Sequence, residues 1–265
     1  MKSYSIKTIS TLLLMMGLFV SCNDTNSTSP DEIKPTLPPT QSMTIDLSEF
    51  DNSNGKAKSE SNFNAAVFRA GVAKLIIDAN LAIPKTLIGA AQNADSETVA
   101  EGEYQWRYTA DNGEDDFSVL LTAQVDSEDE VEWNFFVTTS ATNPPLNNFL
   151  LFSGESEFDG TEGEWRYFDA QENEAVSEIE WDIDNDGSIE LNFLVLSDRN
   201  GNEGASIDYE FNGTTKSLVY VDGSNGDTTT IEFNTETKAG FIISPNYNEG
   251  VKACWDETFT DIPCE

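Results

Sequence analysis

The sequence contains no histidine. That absence removes imidazole as acid, base and metal ligand, and with it His-dependent triads and HExxH zinc chemistry. Positive charge is scarce as well. Fourteen Lys and Arg stand against 48 Asp and Glu, a formal net charge of −34 over 265 residues. A surface of that sign repels phosphate backbones, so nucleic acid is excluded as a partner. There are three cysteines, Cys22, Cys254 and Cys264, and their spacing does not suit a CxxC-type redox or zinc site. No Walker loop or dinucleotide fingerprint is present. What remains for catalysis is carboxylate chemistry of the glycoside-hydrolase kind, and no single pair among the 48 acids stands out for it.

The first 21 residues are built like an export signal. Lys2 and Lys7 supply the positive start, and Thr11 to Val20 the apolar middle. That middle is about half the length of a bilayer-spanning helix, so it reads as a processed signal and not as an anchor. Val20-Ser21-Cys22 closes it. These three residues resemble the lipobox of bacterial lipoproteins, with Phe19 where Leu is usual. The Asn-, Asp-, Ser- and Thr-rich stretch after the cysteine looks like lipoproteins of the Bacteroidota. The resemblance covers roughly the first forty residues. It implies cleavage before Cys22, lipidation of that cysteine, and residence as an outer membrane lipoprotein on the periplasmic face or the cell surface. Loss of Lys2 and Lys7 with the signal takes the charge from −34 to −36.

Cys254 and Cys264 are then left as a pair, and an oxidising compartment favours a disulfide between them. A loop that short contributes roughly 3 kcal/mol by the chain-entropy estimate.

Residues 22–42 read as a tether, rich in Ser, Thr, Asn and Pro and poor in apolar content. A single β-rich domain is expected over 43–265. Met43 to Phe50 alternates as a short strand. Phe63 to Ala82 predicts a helix with a wide apolar face through Phe63, Val67, Ala70, Leu75 and Leu81. Pro84 predicts a break and the first turn of a second helix over 84–93.

From Tyr104 onward the apolar period changes to two, in roughly eleven short segments. Turn signals such as Asn185-Asp186-Gly187, Asn212-Gly213 and Asn225-Gly226 separate them. The expected fold class is mainly β: a curled antiparallel meander, barrel or half-barrel, with one or two N-terminal helices packed on it. There is also an internal echo. Glu101-Gly102-Glu103-Tyr104-Gln105-Trp106-Arg107-Tyr108 resembles Glu162-Gly163-Glu164-Trp165-Arg166-Tyr167, and Asn134-Phe135-Phe136-Val137 resembles Asn192-Phe193-Leu194-Val195. The near-constant offset suggests a duplication of segments 101–140 and 162–198.

One segment has metal-ligand spacing. Asp182, Asp184 and Asp186, followed by Gly187, resemble the first half of an EF-hand calcium loop. The twelfth position of that pattern is Phe193 where the family has Glu, and Glu190 is the nearest substitute. A plain hairpin turn is the expectation and no cofactor is called for, with weak calcium binding at these carboxylates as the alternative. Trp106, Tyr108, Trp133, Trp165, Tyr167 and Trp181 fit either a β-domain core, an apolar cavity or a sugar-stacking platform. The expected function is a cell-envelope lipoprotein of non-enzymatic binding or structural role. Its partners would be the membrane through the lipid anchor and a small apolar ligand, with a glycan or protein partner as the alternative.

Overall fold

Strict alternation of large apolar and polar residues forces one side of each strand inward, and here it builds one long sheet. The computed structural model describes residues 33–48, 61–111, 113, 115–126, 130–170, 174–197 and 202–264. Segment 1–21, Cys22 and the tether as far as residue 32 lie outside the described residues. Among those described, fourteen strands form a single antiparallel sheet in which every strand pairs with its sequence neighbours. They are β1 (Ser96–Ala100), β2 (Glu103–Asp111), β3 (Asp116–Val125), β4 (Glu130–Thr139), β5 (Leu146–Glu157), β6 (Glu162–Phe168) and β7 (Ala175–Ile183). The series continues with β8 (Ile189–Val195), β9 (Ser206–Phe211), β10 (Thr215–Val221), β11 (Thr228–Asn234), β12 (Gly240–Ile243), β13 (Ala253–Trp255) and β14 (Asp261–Ile262). The sheet is curled and not closed. The eleven segments read from the sequence are β2 to β12, and β1, β13 and β14 are additional short strands at the two edges.

Register lines the inner face with apolar side chains. Tyr104, Ala123, Trp133, Gly154, Trp165, Ile179, Phe193 and Ile207 are successive cross-strand partners on β2 to β9. The aromatic members interlock. Trp165 stacks on Trp181 at 5.3 Å between ring centroids and meets Phe135 and Phe152 edge-on. The echoed anchors fall four strands apart, Trp106 on β2 and Trp165 on β6, Asn134 on β4 and Asn192 on β8.

The inner face is covered by one helix, α1 (Asn62–Ala91). Ser61 caps it, accepting from the Asn64 backbone N–H. Pro84 lies inside α1 and does not end it. The proline costs about 3 kcal/mol in a helix interior. Leu87 and Ile88 beyond it are fully buried, and each contributes about 1.5–3 kcal/mol if the helix continues. Tertiary packing therefore overrides the local breaker. The N-terminal half of α1 meets the last strands, with Phe63 against Trp255 at 5.6 Å. The C-terminal half meets β2, where the Tyr108 hydroxyl donates to the Leu87 carbonyl at 2.9 Å. Burial pushes the Tyr108 phenol well above its ordinary range. α1 thus bridges the mouth of the curled sheet.

Residues 34–265 form one compact unit. Its start corrects two sequence expectations. Thr36 N–H donates to the Phe158 carbonyl at 2.9 Å, and Pro35, Pro38 and Ser42 are buried, so residues 34–42 are seated on the domain and are not tether. Met43–Leu47 is not a strand. A short 3-10 turn, Thr40–Met43, leads into an extended strap whose Met43, Ile45 and Leu47 point inward. The alternation does mark inward residues, but they meet the sheet's inner face and, among the described residues, pair with no neighbouring strand.

Candidate functional site

Among the described residues, each face of the sheet carries a concavity. On the inner side, a cleft of about 300 Å³ lies where the C-terminal half of α1 leaves the strands. It is lined by Ile83 of α1, Phe117 of β3, Leu146 and Leu151 of β5, and Tyr167 and Phe168 of β6. The loop Thr142-Asn143-Pro144 and residues Asp169 and Ala170 complete the rim. The Thr142 hydroxyl donates to the Pro144 carbonyl at 2.8 Å, which pins that loop. The curl of the sheet brings these residues together from four separate stretches of sequence. Such a lining, apolar with a few polar groups at the rim, has the character of small-molecule pockets in general.

On the outer side, register converts alternating acids into rows. Glu132, Glu155, Glu164 and Glu180 are successive direct partners on β4 to β7. Glu162, Asp182, Glu190 and Glu210 form a second row on β6 to β9. An open trough of about 480 Å³ runs along them. Like charges directly opposite destabilise a sheet. Arg166 offsets part of this, lying 3.7 Å from Glu164 and 3.5 Å from Glu178.

The calcium-type segment spans the end of this face. Asp182 is the partner of Glu190 across β7 and β8. Asp184 and Asp186 sit in the hairpin turn, closed by Asp184 N–H to Ser188 carbonyl at 3.0 Å and Gly187 N–H to Asp184 carbonyl at 2.9 Å. Gly187 takes φ +89°, the positive value this turn needs. The Asp186 carboxylate accepts the Ser188 backbone N–H at 2.9 Å, and this hydrogen bond holds its carboxyl below the usual range. Asp186 is thus employed by the turn itself. Among the described residues, no group of three or more Asp, Glu, His or Cys is placed to hold a metal ion.

The cysteines Cys254 and Cys264 are joined in a disulfide, as their isolation in the sequence predicts. It closes the β13–β14 hairpin. The tryptophans are all core residues. Trp106, Trp133, Trp165, Trp181 and Trp255 are each at most 2% exposed, so none offers a face for stacking a sugar. Four of the indole N–H groups are held: Trp133 by Ser156, Trp165 by Ser42, Trp181 by the Gly160 carbonyl and Trp255 by the Lys238 carbonyl.

Sequence reasoning did not single out Lys216. It is 5% exposed on the inner face of β10. Its ammonium donates to the Asp46 carboxylate and carbonyl, both at 2.9 Å. Burial opposes ionisation of Asp46, but the hydrogen bonds from Lys216 and Ser48 outweigh it and hold the carboxyl at about 2. The pair pins the strap to the sheet. A lysine at an apolar parity position, after Phe211 and before Leu218, was the available signal.

Among the described residues, no helix is long and apolar enough to cross a membrane. Comparison with protein-family models, with curated proteins and with solved structures gives no match.

Proposed function

We propose that the protein is a lipid-anchored component of the bacterial cell envelope, non-enzymatic, whose domain holds a small apolar ligand in the cleft between α1 and strands β3, β5 and β6. The observation that carries this reading is the lining of that cleft: Ile83, Phe117, Leu146, Leu151, Tyr167 and Phe168 around about 300 Å³. The volume is at the small end for ligand pockets and suits a short acyl chain or a single ring system. The rest of the inner face is filled by α1, the strap and the aromatic core, so the ligand is a small one enclosed at the edge and not a large one spanning the sheet. The anchor reading rests on Val20-Ser21-Cys22 and the preceding apolar run.

Binding is tested with the full chain and a fluorescent fatty acid that brightens in apolar surroundings. A saturable signal is expected. Ile83→Trp fills the cleft from the helix side and is expected to weaken binding at least ~10-fold, the range a crowded apolar pocket gives, with an unchanged melting temperature. No saturable signal in the wild-type chain, or equal affinity in the variant, rejects the cleft as the site.

A further inference from the structure

The outward face of α1 is unusual for a helix laid on a sheet. Such helices turn charged residues to solvent. Here Phe68 and Leu75 are each 70% exposed, and they stand two turns apart on one face. Gly71, Val72, Ala79 and Ala82 share that side of the helix. The sequence pattern puts Leu75 on the apolar face with Phe63 and Leu81, and the fold turns it outward. α1 is apolar nearly all round, so period alone does not fix which stripe turns inward.

Charge singles out the same element. α1 contains Arg69, Lys74 and Lys85 against one acid, Asp78, a balance of +2 in a chain of −34. Lys74 pairs with Asp78. On the helix, Lys74 and Lys85 flank the exposed stripe on one side, while Arg69 on the other turns its guanidinium to the loop after β12, donating to the Ser244 hydroxyl and the Asn246 carbonyl, both at 3.0 Å. α1 bridges the mouth of the sheet, with β2 at one end and β11–β13 at the other, so its own sheet cannot cover this face.

Two arguments select the occupant. First, an anionic bilayer repels the acidic outer rows of the sheet and attracts the cationic border of α1, which favours one orientation. A second copy of the chain, equally acidic, gains no such complementarity from pairing helix to helix. Second, the compact unit begins at Lys34, which donates to Ser96 beside β1 at 3.2 Å, and Thr40 lies against Gly89 near the end of α1. Lys34 lies twelve positions after Cys22, a reach of at most about 40 Å. A lipid on Cys22 therefore keeps this end of α1 close to the bilayer.

We infer that the outward face of α1, carried by Phe68 and Leu75 beside Lys74 and Lys85, docks on the headgroup region of the membrane to which the chain is anchored. This rests on the lipid-anchor reading of Cys22. Docking turns the acidic sheet away from the bilayer.

The test uses full-length lipidated protein in vesicles of phosphatidylethanolamine and phosphatidylglycerol, roughly three to one to supply an anionic surface, with bromine on the acyl chains as quencher. Leu75→Trp places an indole on the stripe, and Glu180→Trp places one on the outer sheet face. The native tryptophans lie in the sheet core and serve as common background. The expected result is quenching at least ~2-fold stronger for Leu75→Trp, as for side chains sunk into the headgroup–acyl boundary. Equal quenching of the two variants, while the protein still floats with the vesicles, overturns docking and leaves the anchor standing. Flotation of Cys22→Ser equal to wild type overturns the anchor reading and the tether argument with it. A dimer in detergent solution that Phe68→Glu with Leu75→Glu dissociates assigns the face to a second copy and also overturns the inference.

Discussion

Gly163 on β6 and Trp181 on β7 are direct cross-strand partners, and the indole occupies the space a side chain at Gly163 would need. A Cβ there would lie 2.6 Å from two ring atoms and 2.3 Å from the Glu155 carbonyl oxygen. The arrangement recurs. Gly154 faces Trp165 and Gly240 faces Trp255 across neighbouring strands, with the same overlap. A sheet that curls crowds its inner face, and a glycine opposite each of these indoles relieves the crowding. Glycine inside a strand often marks such close approach.

Gly163→Ala is therefore expected to destabilise the fold by about 1–3 kcal/mol through overpacking. Trp181→Phe in the same chain is expected to recover part of the loss, because the two positions share one volume. Denaturant titration of the two single variants and the double variant gives the coupling. Strict additivity would contradict the shared space.

The strands were legible wherever both faces speak. β2, β3 and β4 alternate large apolar residues inward with polar ones outward and were found from that period, while apolar runs between turn signals located the segments as far as β12. β1 was not, because Ser96–Ala100 holds one large apolar residue, Val99, and that residue is exposed. β13 and β14 have three and two residues, too few to show a period. Met43, Ile45 and Leu47 gave the right inward parity and the wrong element, since parity records burial and not hydrogen-bonded partners. Pro84 misled because a breaker acts locally, whereas Leu87 and Ile88 are paid back only once the sheet is in place. The cleft was not legible at all. Ile83, Phe117, Leu151 and Tyr167 lie far apart in sequence and meet through the curl. The acids of the outer rows were visible one strand at a time, but only register makes Glu155 and Glu164 neighbours.

Asp46 and Lys216 predict an acid-sensitive strap. The folded carboxyl of Asp46, at about 2, lies below its ordinary 3.8. The stability this provides is complete above about pH 4 and is lost as pH falls towards 2. The side chain is more than half exposed, so solvent screening limits the contribution to about 1 kcal/mol or less. Asp46→Ala also deprives a buried ammonium of its carboxylate, and a total loss of about 1–3 kcal/mol is expected at neutral pH. Denaturation at pH 7 and pH 2.5 measures both effects. The variant's deficit should shrink at the lower pH, and a deficit independent of pH would assign it to packing alone.

The outer rows predict stabilisation by neutralisation. Glu190 stands between Asp182 and Glu210. Glu190→Gln is expected to raise stability by about 0.2–1 kcal/mol at low salt. The gain should fade in 1 M salt, where the screening length is about 3 Å. Melting curves at the two ionic strengths decide it, and a gain that survives high salt would point to a cause other than charge.

Ser177 is fully buried on β7, and its hydroxyl has no hydrogen-bond partner among the described residues. A buried hydroxyl in that state costs about 1–3 kcal/mol. Ser177→Ala is expected to leave stability unchanged or raise it. A clear loss in denaturant titration would show that the hydroxyl is satisfied in solution.

The C-terminal hairpin is held twice, and the two devices should couple. The Cys254–Cys264 disulfide closes a short loop around the β13–β14 turn. Asn62, the first residue of α1, clasps the same hairpin from the helix side. Its side-chain amide donates to the Cys254 carbonyl at 2.7 Å, its backbone N–H donates to the Asp261 carboxylate at 2.8 Å, and its side-chain oxygen accepts from the Tyr247 hydroxyl at 2.7 Å. Replacing both cysteines by alanine removes roughly 3 kcal/mol of loop-closure stabilisation. Asn62→Ala removes the two side-chain bonds and leaves the Cys254 carbonyl and the Tyr247 hydroxyl without them, at about 1–3 kcal/mol. Each change frees β14, an edge strand with only two paired residues. Once one change has freed the hairpin, the other has less left to lose, so the combined variant should lose less than the sum. Amide exchange locates the effect. Protection is expected to fall in β13, β14 and the first turn of α1 while β2 to β8 keep theirs, as for a local opening. Uniform loss across the sheet, or strict additivity of the two changes, would mean that the hairpin and the helix start are not one cooperative unit.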